Sequence, residues 1–256
     1  MFSDKLLIAF NTAWDMLYAW PLPARLRALR RLDGNDDYAA LLAFPAAGLT
    51  YGVLIFILAK ILVLVFGVWA GSLVFSVVAT VLTLLKDRGR GFTVLMSAVS
   101  GWVKWGSLSD ALRRLDPRDW RNDYPAFLPL FIVICFAIFL GGFALIAGRH
   151  PEWLIAVGVI PAAAAGLAAA YPAAGRNGIV VSEKQRWHVW LPAVFVMLFY
   201  LGRPAAPVLS LAAAVGVTWY LKCFSEGSGG ANPAFRSLAP AAAELAAIMA
   251  GVLTIY

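Results

Sequence analysis

Charged residues, cysteine and histidine are scarce in this 256-residue chain, and their scarcity excludes several classes of protein. Charged residues make up only 14% of the chain and gather in short segments between apolar runs, so no separate soluble domain is predicted. The two cysteines, Cys135 and Cys223, indicate neither a disulfide framework nor a thiolate metal site. The two histidines, His150 and His188, fall on opposite sides of the topology predicted below, so they are not expected to form one site.

Long apolar runs are what the chain has in abundance, with hydrophobic residues at 62%. A bilayer is crossed by roughly 20 helical residues. Seven runs approach that length, at residues 45–66, 67–85, 126–148, 152–172, 188–202, 205–221 and 234–256. Such continuous runs predict helices rather than the alternating strands of a barrel. We therefore predict an all-α polytopic membrane bundle that forms one domain over residues 1–256.

Proline and small residues within these runs predict kinks and close helix contacts. Four prolines are expected to kink a helix or start one: Pro45, Pro161, Pro192 and Pro240. Six glycines are expected to let neighbouring helices approach closely: Gly48, Gly52, Gly141, Gly142, Gly158 and Gly166.

Lysine and arginine residues alternate in number from loop to loop, which predicts the orientation of the chain. The segments 1–40, 86–125, 173–187 and 222–237 hold 18 of the 21 basic residues, whereas the intervening loops hold only Arg149 and Arg203. Cytoplasmic loops carry the excess of basic residues. The pattern predicts a multi-pass protein of the bacterial inner membrane with a cytoplasmic N-terminus. The net charge of +7 follows from this bias, and no nucleic-acid partner is predicted.

The first 20 residues favour an interfacial helix over a signal peptide. Polar residues interrupt the apolar ones, and no small-residue cleavage site follows. The stretch KLLIAFNTAWDMLYAW is typical of an amphipathic helix whose aromatic side chains lie at the level of the lipid headgroups. Residues 1–40 are thus expected to be cytoplasmic or interfacial.

The cytoplasmic loop 86–125 concentrates the polar residues and is the predicted location of any chemistry. It opens with KDRGRG, in which Lys86, Arg88 and Arg90 surround two glycines. Cations on a flexible backbone with exposed amides suit a phosphate or pyrophosphate, which needs donors from several directions. The alternative is a topogenic cluster that touches lipid headgroups.

Three acids follow in the same loop, and a fourth lies in the last apolar run. Asp116, Asp119 and Asp123 would share one face of a helix capped by Asp116, where they could hold Mg²⁺ against substrate phosphates. The alternative is a helix cap with two solvated acids paired to nearby arginines. Glu244 is costly within a membrane span, so we expect it to face the bundle interior and contact a cation or polar backbone.

The order of these features resembles the cobalamin-5'-phosphate synthases, or adenosylcobinamide-GDP ribazoletransferases, over nearly the whole chain. The family's Pro-x-Pro turn and following Phe-Pro-x-x-Gly-Leu-x-x-Gly motif are matched by AWPLPARL and AFPAAGLTYG. ALRRLDPRDW resembles a family segment at Asp116 and Arg118, and GGANPAFRSLAPAAAELAAI resembles the C-terminal Gly-Gly segment and its glutamate-bearing helix. The family's acidic stretch after the second span is mostly replaced here, by TLLKDRGRG, in which Asp87 and two glycines remain.

This resemblance implies a transferase that joins α-ribazole or its 5'-phosphate to adenosylcobinamide-GDP and releases GMP. It implies that Lys86, Arg88 and Arg90 neutralise the pyrophosphate and that Arg118 positions a phosphate. It also implies Mg²⁺ as the cofactor, held by Asp87, Asp116, Asp119 and Asp123, with Glu244 supporting a catalytic site that includes Asp116 and Arg118. The expected partners are this anionic nucleotide-activated corrinoid and membrane lipid, with a homo-oligomer left open. The alternatives are a non-catalytic relative that binds or transports a corrinoid or lipid, and a transferase acting on another phospho-alcohol.

Overall fold

The computed structural model describes residues 2–18, 37–107, 110, 128–171, 182–198, 205–226 and 233–255. Over these residues the regular structure is helical, which confirms the all-α prediction. The helices are α1 (Phe2–Leu17), α2 (Asp37–Lys86), α3 (Arg90–Trp105), α4 (Leu128–Arg149), α5 (Trp153–Ala169), α6 (Glu183–Arg186), α7 (Trp190–Leu198), α8 (Ala205–Glu226) and α9 (Pro233–Ile255). A 3₁₀ turn, Trp187–Val189, joins α6 to α7.

Helix α2 is a hairpin of two helices that meet at Gly67. The backbone of Gly67 has φ 78° and ψ 168°, a conformation that only glycine adopts readily. A straight helix rising about 1.5 Å per residue would put Tyr51 and Lys86 roughly 50 Å apart. Their ammonium-to-ring distance is instead 5.7 Å, so the chain folds back on itself. We call residues 37–66 the first arm and residues 68–86 the second arm. The predicted boundary between residues 66 and 67 coincides with this turn.

Helix α5 forms the centre of the bundle. Nearly all of its side chains are buried, and it packs against α2, α7, α8 and α9. It runs antiparallel to the first arm, because Gly48 lies beside Ala162 and Gly52 beside Ile155. A Cβ atom at Gly158 would lie only 2.5 Å from the carbonyl oxygen of Gly48. The absence of side chains at these glycines therefore allows the two backbones to touch.

The remaining long helices surround this pair. Helix α4 packs on the second arm, where the rings of Phe75 and Phe143 are 6.1 Å apart. Helix α9 contacts α4, α5 and α8. The N-terminal half of α9 lies near the end of the second arm, and its C-terminal part lies beside Trp153 at the start of α5. The two ends of the bundle thus differ, with Lys86 at one and Gly67 at the other.

Within the predicted cytoplasmic loop 86–125, residues 90–105 form the amphipathic helix α3, in which Phe92, Leu95, Met96 and Val99 recur at helical spacing. One prediction about local structure is wrong, the close helix contact at Gly141. Gly141 makes no close helix contact, since a Cβ atom there would meet nothing within 4 Å. Two aromatic residues at the C-terminal end of α1 pack inward. Trp14 and Tyr18 are buried, and the Tyr18 ring packs against that of Tyr51.

The outer surface of the hairpin is strongly apolar. Leu64 and Trp69, on either side of Gly67, are 86% and 89% exposed. Along both arms the outward side chains are also apolar, among them Leu54, Ile57, Ile61, Leu73, Val77 and Val81. Two described helices are long and apolar enough to cross a membrane, Tyr38–Lys86 and Pro129–Arg149, and three shorter apolar helices accompany them, Trp153–Ala169, Val208–Tyr220 and Ser237–Leu253.

Candidate functional site

A cavity of about 510 Å³ lies where α1, both arms of α2, α3, α5 and α9 meet. Its charged lining comes from Asp15 on α1, from the turn between α2 and α3, with Lys86, Asp87, Arg88 and Arg90, and from Glu244 on α9. The volume is within the range of small-molecule sites. The short turn therefore places three cations and one acid at a single cavity.

Lys86 and Glu244 form a buried ion pair in the wall of this cavity. The Lys86 ammonium lies 2.5 Å from Oε2 of Glu244, and Thr83 donates to Oε1 at 3.4 Å. Glu244 is only 2% exposed, whereas the Lys86 side chain keeps 15% of its surface accessible. The expectation that Glu244 faces the bundle interior and contacts a cation is confirmed. Because a buried carboxylate needs a partner, Glu244 fixes the lysine at the cavity wall.

The turn from Asp87 to Gly91 is shaped by two residues with positive φ. Arg88 has φ 59° and Gly89 has φ 72°, which interrupts the helical conformation between α2 and α3. Asp87 accepts the backbone N–H of Gly91 at 2.6 Å, and this satisfies one of the free amides in the first turn of α3. At this turn, Arg88 and Arg90 are exposed at the cavity. KDRGRG therefore forms the turn that presents both arginines to the cavity.

Two tyrosines close the cavity on the side of α1. The Tyr51 ring lies 5.7 Å from the Lys86 ammonium, and the Tyr18 ring lies 5.4 Å from that of Tyr51. Tyr18 donates to the carbonyl oxygen of Ala47 at 3.4 Å. Burial raises the pKa of the Tyr18 hydroxyl well above its usual range, with smaller contributions from Tyr51 and Glu244. Tyr18 therefore stays neutral and acts as a hydrogen-bond donor at neutral pH.

The structure brings together five of the predicted site residues. Lys86, Asp87, Arg88, Arg90 and Glu244 all line the cavity, although they come from segments more than 150 residues apart in the chain. The other four predicted site residues lie outside the described part of the chain, namely Asp116, Arg118, Asp119 and Asp123.

The described residues do not fit a Mg²⁺ site. Among them, no three His, Cys, Asp or Glu side chains are grouped as metal ligands. The Asp87 carboxylate is already bonded to the Gly91 amide, and Glu244 is paired with Lys86. A cation at these acids would have to displace both contacts, so we assign no step of chemistry to a metal here.

Among the lining residues that the sequence predictions missed are Thr83, Tyr18 and Tyr51, and two of these three carried a signal. Thr83 lies one turn before Lys86 on the same helical face, so spacing alone could have found it. Tyr18 continues the four-residue spacing of Phe10 and Trp14. Tyr51 had no such signal, because only the folding back of α2 at Gly67 brings it to Lys86.

The two histidines have separate partners in the structure. His150 lies 3.2 Å from a carboxylate oxygen of Glu152, and His188 lies 2.9 Å from the Tyr38 hydroxyl. The expectation that the histidines do not form one site is confirmed. Neither histidine lines the cavity.

The arrangement is suited to binding an anion. Arginine and lysine bind phosphate oxygens through charge-assisted hydrogen bonds, and arginine can do so with two parallel bonds. Comparisons with protein-family models, curated proteins and solved structures find no significant match to this chain.

Proposed function

We propose that this protein is a seven-span membrane protein whose cavity binds the pyrophosphate of a nucleotide-activated corrinoid as a ribazoletransferase does. One observation carries the proposal: Lys86, Arg88 and Arg90 line the same cavity. These are the cations that the family resemblance assigns to the pyrophosphate. Because a diphosphate carries several negative charges, Arg88 and Arg90 contribute neutralising charge for phosphoryl transfer, whereas Lys86 is already paired with Glu244.

The membrane location is supported by the apolar outer surface of the hairpin and by the two helices long enough to cross a bilayer. Lys86, Arg88 and Arg90 lie at one end of the bundle and the exposed apolar turn at Gly67 lies at the other. With the basic end on the cytoplasmic side, the cavity opens to the compartment that contains nucleotides.

The size of the cavity limits which part of the ligand enters it. Sites of about 300–1,000 Å³ hold molecules of drug-like size. The cavity of about 510 Å³ accommodates a nucleoside diphosphate group, and the much larger corrin macrocycle stays outside. The nucleotide end is therefore the part that this chain recognises.

A second candidate function is binding without turnover. It is favoured because Asp87 accepts a hydrogen bond from the Gly91 amide and Glu244 pairs with Lys86. Neither carboxylate is then available to bind a metal ion. The transferase proposal would place Mg²⁺ at Asp116, Asp119 and Asp123, which lie outside the described residues. Changing each of them to Asn is then expected to lower Mg²⁺-dependent turnover by roughly 10- to 100-fold.

Both candidates are tested with the purified full chain in liposomes. Adenosylcobinamide-GDP is expected to bind to wild-type protein, and Arg88→Gln and Arg90→Gln are each expected to weaken binding about tenfold, because a charge-assisted bond is lost. Lys104→Gln is the matched control, since Lys104 is an exposed cation of α3 outside the cavity. Equal binding by all four proteins would overturn the proposal.

The same liposomes distinguish the two candidates. Addition of α-ribazole and Mg²⁺ produces the complete corrinoid if the chain is a transferase. Retention of adenosylcobinamide-GDP without product, with and without Mg²⁺, would instead establish binding alone.

A further inference from the structure

The cavity has an apolar side as well as a basic one. Phe92 and Leu95 line it from α3, one turn beyond Arg88 and Arg90, and Phe139 lines it from α4. Met16 and Leu17 of α1 add two more large apolar side chains. Such surface contributes nothing to the binding of an inorganic anion. Ligand sites typically combine an apolar lining with a few charged groups that orient the ligand.

The two sides are adjacent because of the helical geometry of α3. Arg88 and Arg90 flank its start, and positions 92 and 95 are separated by three residues, so Phe92 and Leu95 share a face that points into the cavity. The Phe92 ring also packs edge-on against Phe136 of α4, with centroids 5.5 Å apart. An apolar group bonded to a phosphate held by the arginines would therefore reach this face directly.

We propose that, among small phosphate esters, the cavity prefers those that carry an apolar group next to the phosphate, with Phe92 and Leu95 as the specificity-determining residues. This inference rests on the proposed binding of phosphate by Lys86, Arg88 and Arg90. It adds a preference for an apolar group, which those cations alone would not produce. The natural source of the ester is either a membrane phospholipid with a terminal phosphate or a water-soluble aryl phosphate.

The test compares methyl phosphate with butyl phosphate, which carry the same charge and differ only in apolar size. Dissociation constants are measured by calorimetry with the full chain in phosphatidylcholine nanodiscs. Each methylene group that enters an apolar pocket makes the binding free energy more favourable. Butyl phosphate is therefore expected to bind at least about tenfold more tightly than methyl phosphate. Equal affinities would overturn the proposal.

Variants of α3 test whether this helix causes the preference for butyl phosphate over methyl phosphate. Phe92→Ala is expected to reduce the ratio of butyl phosphate to methyl phosphate affinity to about threefold or less, because part of the apolar wall is removed. Trp102→Ala is the matched control, since Trp102 is an exposed aromatic residue of the same helix outside the cavity. An unchanged ratio in Phe92→Ala would overturn the role of this residue.

The outcomes separate this inference from the proposed function. If both esters bind with equal affinity, the phosphate site stands and the apolar requirement fails. If neither ester binds, the phosphate site itself fails. If the natural ester is a lipid, phosphatidic acid in the nanodisc is expected to compete with butyl phosphate. If phenyl phosphate binds tightly and phosphatidic acid does not compete, the natural ester is a soluble aryl phosphate.

Discussion

The Lys86–Glu244 pair is a buried contact in which each charge depends on the other. Lys86→Met would leave the Glu244 carboxylate, 2% exposed, without its cation. Leaving one charge of a buried pair uncompensated typically costs about 3–5 kcal/mol. We expect Lys86→Met to lower the free energy of unfolding by that amount, as measured by denaturant titration in detergent micelles.

The control for this prediction removes both charges. The double variant Lys86→Met with Glu244→Leu has no buried ion left to compensate, so it is expected to be more stable than Lys86→Met alone. Lys104→Met changes an exposed lysine and should have little effect on stability. A Lys86→Met protein as stable as the wild type would show that the pair is not a structural contact.

At the scale of helices, the contact between α5 and the first arm depends on glycine. A Cβ atom at Gly158 would lie 2.5 Å from the Gly48 carbonyl oxygen and 2.6 Å from Cα of Gly52. Overpacking of this kind typically costs 1–3 kcal/mol. We therefore expect Gly158→Ala to destabilise the protein by about that amount.

Gly141→Ala is the matched comparison for Gly158→Ala. It makes the same substitution within a helix, but a Cβ atom at Gly141 has nothing within 4 Å. Alanine is favoured over glycine in a helix by up to about 1 kcal/mol, so Gly141→Ala should be neutral or stabilising. A similar loss of stability in both variants would mean that close helix packing is not what Gly158 provides.

The turn of the α2 hairpin requires glycine at position 67 because of its backbone conformation, and not because a side chain would lack room there. Nothing lies within 4 Å of a Cβ atom at this position, yet its φ of 78° and ψ of 168° are strained for any residue with a side chain. Gly67→Ala is expected to lower the free energy of unfolding by about 1–3 kcal/mol. Gly67→Asn should do the same, because the left-handed region that asparagine tolerates has a much smaller ψ. Unfolding curves that overlay with the wild type would contradict this account.

The helices themselves were predictable because each is encoded locally. Continuous apolar runs gave α4, α5, α8 and α9 to within a few residues of their observed bounds, except that α8 continues to Glu226. The break at Gly67 was also visible in the sequence. Helix α3 was not predicted, although residues 92–99 have helical spacing, because its charged start at KDRGRG carries no apolar pattern.

The candidate site was predictable only in part, because it depends on contacts between distant segments. Charge and spacing pointed to Lys86, Arg88 and Arg90, and the cost of burying an acid pointed to Glu244. No local pattern could indicate that Glu244 pairs with Lys86. That contact requires α9 to pack beside the second arm, and it is set by the fold of the whole molecule.

At the scale of the whole molecule, the two ends of the bundle predict the orientation of the chain in the proposed membrane location. Ser107 follows α3 within the strongly basic segment 86–125, and Glu152 lies between α4 and α5 near a single arginine. With Cys135 and Cys223 replaced by serine, we introduce one cysteine at a time, as Ser107→Cys or Glu152→Cys. Because basic segments stay in the cytoplasm, an impermeant maleimide should label Glu152→Cys in intact cells and Ser107→Cys only after the membrane is opened.

The reverse labelling pattern would have a consequence beyond topology. Lys86, Arg88 and Arg90 precede Ser107 by one helix and would then lie on the outer side of the membrane with it. A cavity there would have no access to the nucleotide-activated substrates of the cytoplasm. The labelling of these two positions therefore tests the orientation and the proposed ligand together, and labelling of Ser107→Cys in intact cells would exclude both.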